Sequence, residues 1–236
     1  MEATFKHSGD LGDIVYSLPV MKALGGGVLY LDPNGGKGTG NVNLGYKDYT
    51  NLNVKGIEFL RPLLEIQSYI TDIKLWSGEA VDYNLDEFRK HIKFNNLAYS
   101  HLCAFKLPNS YADLRWLYEI KIKEGYEDKF ILSRSPKVQG NHEFWEFNVR
   151  QIRENCVFIG LEKEHEIFEY ALGYSVQFYK VSDALEMAEI IYSGKQFIGN
   201  QSLAQSIAEG LKKPLICEVN KNYPAVVFNR KEAKYV

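Results

Sequence analysis

The stretch CVFIGLEKEHEIFEYALGYSVQFYKVSDALEMAEIIYSGKQFIGNQSLAQSIAEGLKKPLIC, residues 156–217, decides the fold. Cys156 to Ile159 is an apolar run ended by Gly160, the pattern of a strand buried on both faces. Glu162 to Glu166 is acidic and opens a helix that turns Ile167, Phe168, Ala171 and Leu172 inward, with Gly173 as its stop. Val176 to Tyr179 reads as the next strand. Ser182-Asp183 caps a helix running through Leu185, Ala188 and Ile191 to Gly194. Gln196 to Ile198 is a third strand, followed at once by a helix from Ser202 to Leu211 with Leu203, Ile207 and Leu211 on one face. Lys212 and Lys213 sit at its negative end and Pro214 closes it. Leu215 to Cys217 is strand again, and Ala225 to Phe228 reads as a last one. Strand and helix alternate about every 20 residues, which predicts a parallel sheet of right-handed β-α-β units.

The first half begins the same way. Ala3 to His7 reads as a strand, Ser8 to Asp13 as a tight loop, and Leu11, Ile14, Val15 and Leu18 have helical spacing, with Pro19 restarting the helix as a first residue. Gly25 to Gly27 ends it, and Val28 to Leu31 is the second strand. A loop rich in Gly and Asn runs from Pro33 to Gly45, long enough to have a function of its own. A helix near Ile57 to Ile66, a strand near Tyr69 to Leu75, a helix from Tyr111 to Glu119 and a closing strand at Phe130 to Leu132 complete the half. The expected organisation is α/β: an N-terminal Rossmann-like domain over 1–135, a hinge over 136–154 holding Pro136 and Gly140, and a C-terminal Rossmann-like domain over 155–236.

The chain has 236 residues, with 28 Lys and Arg against 30 Asp and Glu, for a net charge of −2. Divided at residue 150, each half carries −1, so bulk charge marks neither as a nucleic-acid or membrane module. Cys103, Cys156 and Cys217 are odd in number and far apart, which points to buried thiols in a reducing compartment. Charged residues precede any long apolar run, and no apolar segment approaches the roughly 20 residues of a membrane helix. A cytoplasmic protein without a membrane span is expected, and no cofactor is called for.

Two strand–loop–helix junctions could carry chemistry. Ser8-Gly9-Asp10-Leu11-Gly12-Asp13 has the form of an anion cradle, but its glycines are three apart and two carboxylates would repel a pyrophosphate. A carboxylate at a strand's carboxyl edge suits a general base, while Asp10 or Asp13 could equally cap the helix. Gly199-Asn200-Gln201-Ser202 has no carboxylate and sets two amides and a hydroxyl at a positive helix end, as a departing phosphate requires. Ser202 as a bare N-cap is the alternative. Gly36-Lys37 lacks the rest of a phosphate loop, and His165-Glu166 lacks the second His of a zincin. His91, His101 and His142 are scattered and read as packing or surface residues, so no metal site emerges.

Taken together, the two motifs resemble family 9, heptosyltransferase-like glycosyltransferases. The run from Ser8 to Pro19 resembles their opening, and Phe197 to Ser202 with Ala208 to Pro214 resembles their donor-phosphate segment. The chain is also similar to small phage-encoded glycosyltransferase-like proteins, through Arg134-Ser135-Pro136 and Gly160-Leu161-Glu162. The resemblance implies a GT-B fold of two facing Rossmann-like domains and an inverting, metal-independent transfer from a nucleotide-sugar donor. It makes Asp13 the base, within the acceptor-side loop of Ser8, Gly9, Asp10 and Gly12. It gives the diphosphate to Gly199, Asn200, Gln201 and Ser202, has Arg134 neutralise it, and lines the nucleoside pocket with Gly160, Leu161 and Glu162. The family's donor segment commonly has Asp-x-Gly before a His, where this chain has Asn200-Gln201-Ser202 and Gln205.

The acceptor could be a glycan, a small molecule or a hydroxymethylated DNA base. The DNA version predicts a basic strip drawn from Lys37, Lys47, Lys55, Arg89, Lys90 and Lys93. A nucleotide-binding protein without transfer activity is the second reading. A dehydrogenase with Asp32 on a ribose is the third, against which the broken glycine pattern counts.

Overall fold

The computed structural model describes residues 2–34, 52–91, 96–136, 139 and 142–236. The chain divides into two compact units, Met1–Glu119 and Ile120–Val236. In the first, the strands are β1 (Ala3–His7), β2 (Gly27–Leu31), β3 (Ile70–Leu75) and β4 (Tyr83–Asn84). They form a sheet in the order β3-β2-β1-β4, every pairing parallel. The helices are α1 (Leu11–Ala23), α2 (Val54–Glu65), α3 (Leu97–Ala104) and the short α4 (Ser110–Asp113), with a 3-10 helix over Leu85–His91.

Phe5 and Leu29 from the sheet, Ile14, Val15 and Leu18 from α1, Leu60 and Leu64 from α2, and Leu102 from α3 are fully buried and make the core. Each is inward on its own element's period, so alternation in strands and 3.6-residue spacing in helices agree on one interior. Pro19 lies inside α1. The helix runs through it, so the expected restart is replaced by the loss of a single backbone donor. The predicted helix from Tyr111 to Glu119 is only the single turn of α4. Beyond it, Trp116 and Leu117 are buried in non-helical backbone.

The second unit has β5 (Phe130–Ser133), β6 (Cys156–Ile159), β7 (Gln177–Tyr179), β8 (Gln196–Asn200), β9 (Leu215–Glu218) and β10 (Ala233–Tyr235). Its helices are α5 (His142–Ile152), α6 (Glu162–Leu172), α7 (Ala184–Ser193) and α8 (Leu203–Gly210). The sheet order is β10-β9-β8-β5-β6-β7, again all parallel. Two expectations are corrected here. Phe130 to Leu132 does not close the first half: as β5 it lies between β6 and β8 inside the second sheet. The expected hinge at 136–154 also falls away, because α5 packs Trp145 and Val149 into this unit's core beside Leu132 and Phe158. The boundary lies at 119/120. Ala225 to Phe228 is not a strand; the edge is formed by β10 instead. Among the described residues, no helix is long and apolar enough to cross a membrane.

Candidate functional site

In a doubly wound parallel sheet, ligands bind beyond the carboxyl ends of the strands, where the strand order reverses. In the first unit that point lies between β1 and β4, and the Ser8–Asp13 loop leaves β1 there. The loop is held from beneath. Asp86, just past β4, accepts hydrogen bonds from Ser8 N at 3.1 Å and Ser8 Oγ at 2.7 Å. It also receives Lys6 Nζ at 2.8 Å and Arg89. Burial alone would raise this carboxyl, but the facing His7 and the hydrogen bonds from Lys6, Arg89 and Ser8 outweigh it and hold it well below the usual range.

His7 ends β1 and is wholly buried. Its Nδ1 accepts the Gly9 N–H at 2.8 Å, and its Nε2 lies 3.1 Å from Nε2 of His101 on α3. Burial lowers His7 to about 4, against the opposing pull of Asp86. His101 is lowered well below its ordinary value by burial and by His7, and stacks on Phe88.

Asp13 is half-buried in the first turn of α1, where a helix end favours negative charge. Its side chain lies against Gly9: a Cβ on Gly9 would stand 3.0 Å from Asp13 Oδ2 and 2.6 Å from His7 Cε1. Only glycine fits between them. Asp10 occupies the N-cap position without a side-chain cap hydrogen bond. Asp32 accepts from Lys6 Nζ at 3.2 Å and Asn34 N at 2.9 Å. It is 3% exposed, so it does not present the carboxylate that a dinucleotide ribose needs.

In the second unit the reversal lies between β5 and β8, and the residues that the sequence analysis gave to a donor all leave the carboxyl edge of this sheet. Arg134 follows β5, Gly160 to Glu162 follow β6, and Gly199 to Ser202 end β8 and begin α8. The side chains along this edge hydrogen-bond to main-chain groups nearby. Asn200 accepts from Ser135 N at 2.8 Å and donates to Ser135 O at 2.7 Å, clamping the β5 exit to β8. Gln201 Nε2 donates to Tyr223 O, and its Oε1 accepts from Asn220 N, both at 2.8 Å. Ser202 caps α8 by accepting from Gln205 N.

Arg134 does not present its charge to this edge as the sequence reading had it. Its Nε and Nη2 each lie 3.0 Å from the carboxylate of Glu218, to which Trp145 Nε1 also donates, and all three residues are buried. Leu161 and Glu162 are exposed beyond β6, where a ligand could reach them. Gly160 takes φ +149°, and a Cβ there would stand 2.9 Å from Glu164 Oε2, so this turn too admits only glycine. Glu164 accepts from Leu161 N at 3.0 Å, and burial raises its carboxyl despite that bond and one from Ser135.

Of the proposed basic strip, Arg89 pairs with Asp86 and Lys90 with Glu87, while Lys55 is exposed. Lys37, Lys47, Lys93, and residues 35–45 of the Gly- and Asn-rich loop lie outside the described residues. Among the described residues, no three or more His, Cys, Asp or Glu are grouped to hold a metal ion. Sequence reasoning missed His7, Asp86, Glu164 and Glu218, and it read His101 as a packing or surface residue without seeing its partner His7. A polar residue at an apolar position was their only signal, as at His101 one helical turn from Leu97 and beside Leu102.

Two parallel, Rossmann-like sheets, each with a loop cluster at its reversal point, make an α/β fold that matches the GT-B-like fold of solved glycosyltransferases. No family profile matches the sequence, and no curated protein matches it. Solved structures do. A glycosyl transferase family 9 protein from Veillonella parvula DSM 2008 aligns with a TM-score of 0.64 at 10% identity, covering 99% of this chain and 85% of that one. The E. coli heptosyltransferase WaaC with ADP-2-deoxy-2-fluoro heptose aligns at 0.61 and 7% identity, over 100% and 93% of the two chains. E. coli ADP-heptose lps heptosyltransferase II aligns at 0.51 and 12%, over 100% and 90%. At such identities the likeness is one of fold.

Proposed function

We propose that the protein is an inverting glycosyltransferase that uses a nucleotide-sugar donor. Asp13 takes the proton from an acceptor hydroxyl, whose oxygen attacks the anomeric carbon. The bond from that carbon to the diphosphate oxygen breaks, and its electron pair leaves with the nucleoside diphosphate. The main-chain N–H groups at the α8 N-terminus receive the diphosphate and supply the charge stabilisation that a divalent cation would otherwise give. Asn200 and Gln201 act by holding that junction in shape, and Gly160, Leu161 and Glu162 border the nucleoside. The observation that carries this reading is positional: both motifs lie at the carboxyl-edge reversal points of the two sheets of a fold shared with nucleotide-sugar enzymes.

Three free thiols fit a reducing, cytoplasmic setting. The test is a thermal-shift screen over nucleoside diphosphates and nucleotide-sugars. A ligand at 100 times its dissociation constant should add about 2.7 kcal/mol. Asp13→Asn should then cut transfer by about a hundredfold or more while leaving donor binding unchanged. Near-normal turnover in that variant would remove Asp13 from the role.

A second reading, a nucleotide-binding protein without transfer, is favoured by one observation: the Arg134 guanidinium is already neutralised by Glu218. It predicts the same ligand shift together with indifference to Asp13.

A further inference from the structure

We propose that His7 and His101 are positioning residues for Asp13, holding the main chain at Gly9 against the Asp13 side chain and so fixing the direction of its carboxylate. This rests on the reading of Asp13 as the base. The hydrogen placement follows from the partners. A backbone N–H only donates, so His7 Nδ1, which faces Gly9 N, is bare and the ring hydrogen sits on Nε2. A carbonyl only accepts, so His101 Nδ1, 2.8 Å from Leu97 O, carries its hydrogen and leaves Nε2 bare. The Nε2–H of His7 then points at the free lone pair of His101. One chain of three hydrogen bonds runs from Gly9 N–H through both rings to the backbone of α3, and both rings are neutral.

No other assignment satisfies every partner. A proton added to His7 goes to Nδ1 and confronts the Gly9 N–H. A proton added to His101 goes to Nε2 and confronts the Nε2–H of His7. Either event breaks the hold on Gly9, and a protonated His7 would turn toward Asp86 Oδ1, 3.6 Å away. The charged groups around the pair are Lys6 on β1, Asp86 and Arg89 on the 3-10 helix, and Asp13, which borders the same empty Cβ position of Gly9 as the His7 ring. Gly9 itself is the coupling. With no side chain, it leaves empty the one position where a Cβ would meet both the His7 ring, at 2.6 Å, and the Asp13 carboxylate, at 3.0 Å, so a shift of the Gly9 main chain is felt by both.

The experiment compares the wild type with His101→Leu, which removes the acceptor, and His101→Gln, which restores an oxygen near the same place. Three readings are taken by NMR: the histidine tautomers, exchange of the Gly9 amide, and titration of the Asp13 carboxyl, assigned through Asp13→Asn. We expect His101→Leu to speed Gly9 exchange about tenfold or more and move the Asp13 midpoint by about half a pH unit or more, with His101→Gln returning both toward wild type. Faster Gly9 exchange with an unmoved Asp13 titration would leave the pair a merely structural role and overturn the proposal. So would a wild-type His7 that is charged near neutral pH.

Should His101→Leu not fold, the wild-type acid titration decides. Gly9 protection and the Asp13 signal must change together as the histidines take up protons, and independent changes refute the coupling. None of these readings uses transfer, so they stand apart from a failure of the glycosyltransferase reading, which would appear as a wild type inactive with every donor. With a donor from the thermal-shift screen, His101→Leu should lower kcat about tenfold and leave the donor KM within about twofold.

Discussion

Gly9 and Arg134 show how far single residues decide this site. Gly9→Ala would drive a methyl into the buried His7 ring, which cannot yield, and into the Asp13 carboxylate. The substitution should cost about 1–3 kcal/mol, read by urea denaturation, and, on the proposed glycosyltransferase reading, lower transfer more than donor binding. Arg134→Met tests the other junction. It leaves the buried Glu218 without its cation and should destabilise the fold by roughly 3–5 kcal/mol. If Arg134 instead held a diphosphate, the same change would weaken donor binding and leave stability nearly untouched. The positions of Asp13, Gly199 and Ser202 were legible because strand, loop and helix follow one another without interruption. The pairing of Arg134 was not, because its partner lies 84 residues away in the chain and no local pattern announces it.

Among elements, those with strong periodicity were read to within a residue or two: β6, α6, α7, β8, α8 and β9 all lie where the apolar spacing put them. Errors fell where packing overrides pattern. A chain segment of buried Trp116 and Leu117 mimics a helix face although its backbone is irregular. The sequence from Ala225 to Phe228 is apolar enough for a strand, yet Ala225, Val226 and Phe228 are buried with no more than an isolated bridge at Val226. The clamp of Asn200 on Ser135 belongs at this scale, since it ties two neighbouring strands at their exits. Asn200→Asp would set a second carboxylate oxygen against the Ser135 carbonyl where a donor now stands. Faster amide exchange at the ends of β5 and β8, with the remainder of the sheet still protected, is the expected outcome.

For the molecule as a whole, buried histidines set the response to acid. His7 is neutral in the fold with a pKa near 4 against an ordinary 6.5, so between these values the unfolded chain binds a proton that the folded chain refuses. Stability is therefore full above about pH 6.5 and falls as pH drops toward 4, by about 3 kcal/mol for this residue. His101 adds to the loss in the same direction. Asp86, held low, contributes stability that is lost only as pH falls below the ordinary carboxylate range. Glu164, raised by burial, opposes these slopes just above pH 4.5. The urea midpoint should hold level above about pH 6.5 and decline from there to pH 4.5, and a flat profile to pH 5 would contradict the buried neutral assignment. None of this could be read from the sequence, where five histidines look alike. Only the fold brings two of them together.

The place of β5 has a consequence for how the protein is made. The strand emerges from the ribosome well before β8, its neighbour on one side, which follows after about 60 residues of chain. At ordinary translation rates of about 5–20 residues per second, that edge stays open for roughly 3–12 seconds. Ile131 and Leu132 meanwhile stand on a strand with one side unpaired, a template for pairing with a neighbouring nascent chain. The second unit thus passes through an interval of vulnerability during synthesis, when a chaperone or fast translation of the following segment would matter most.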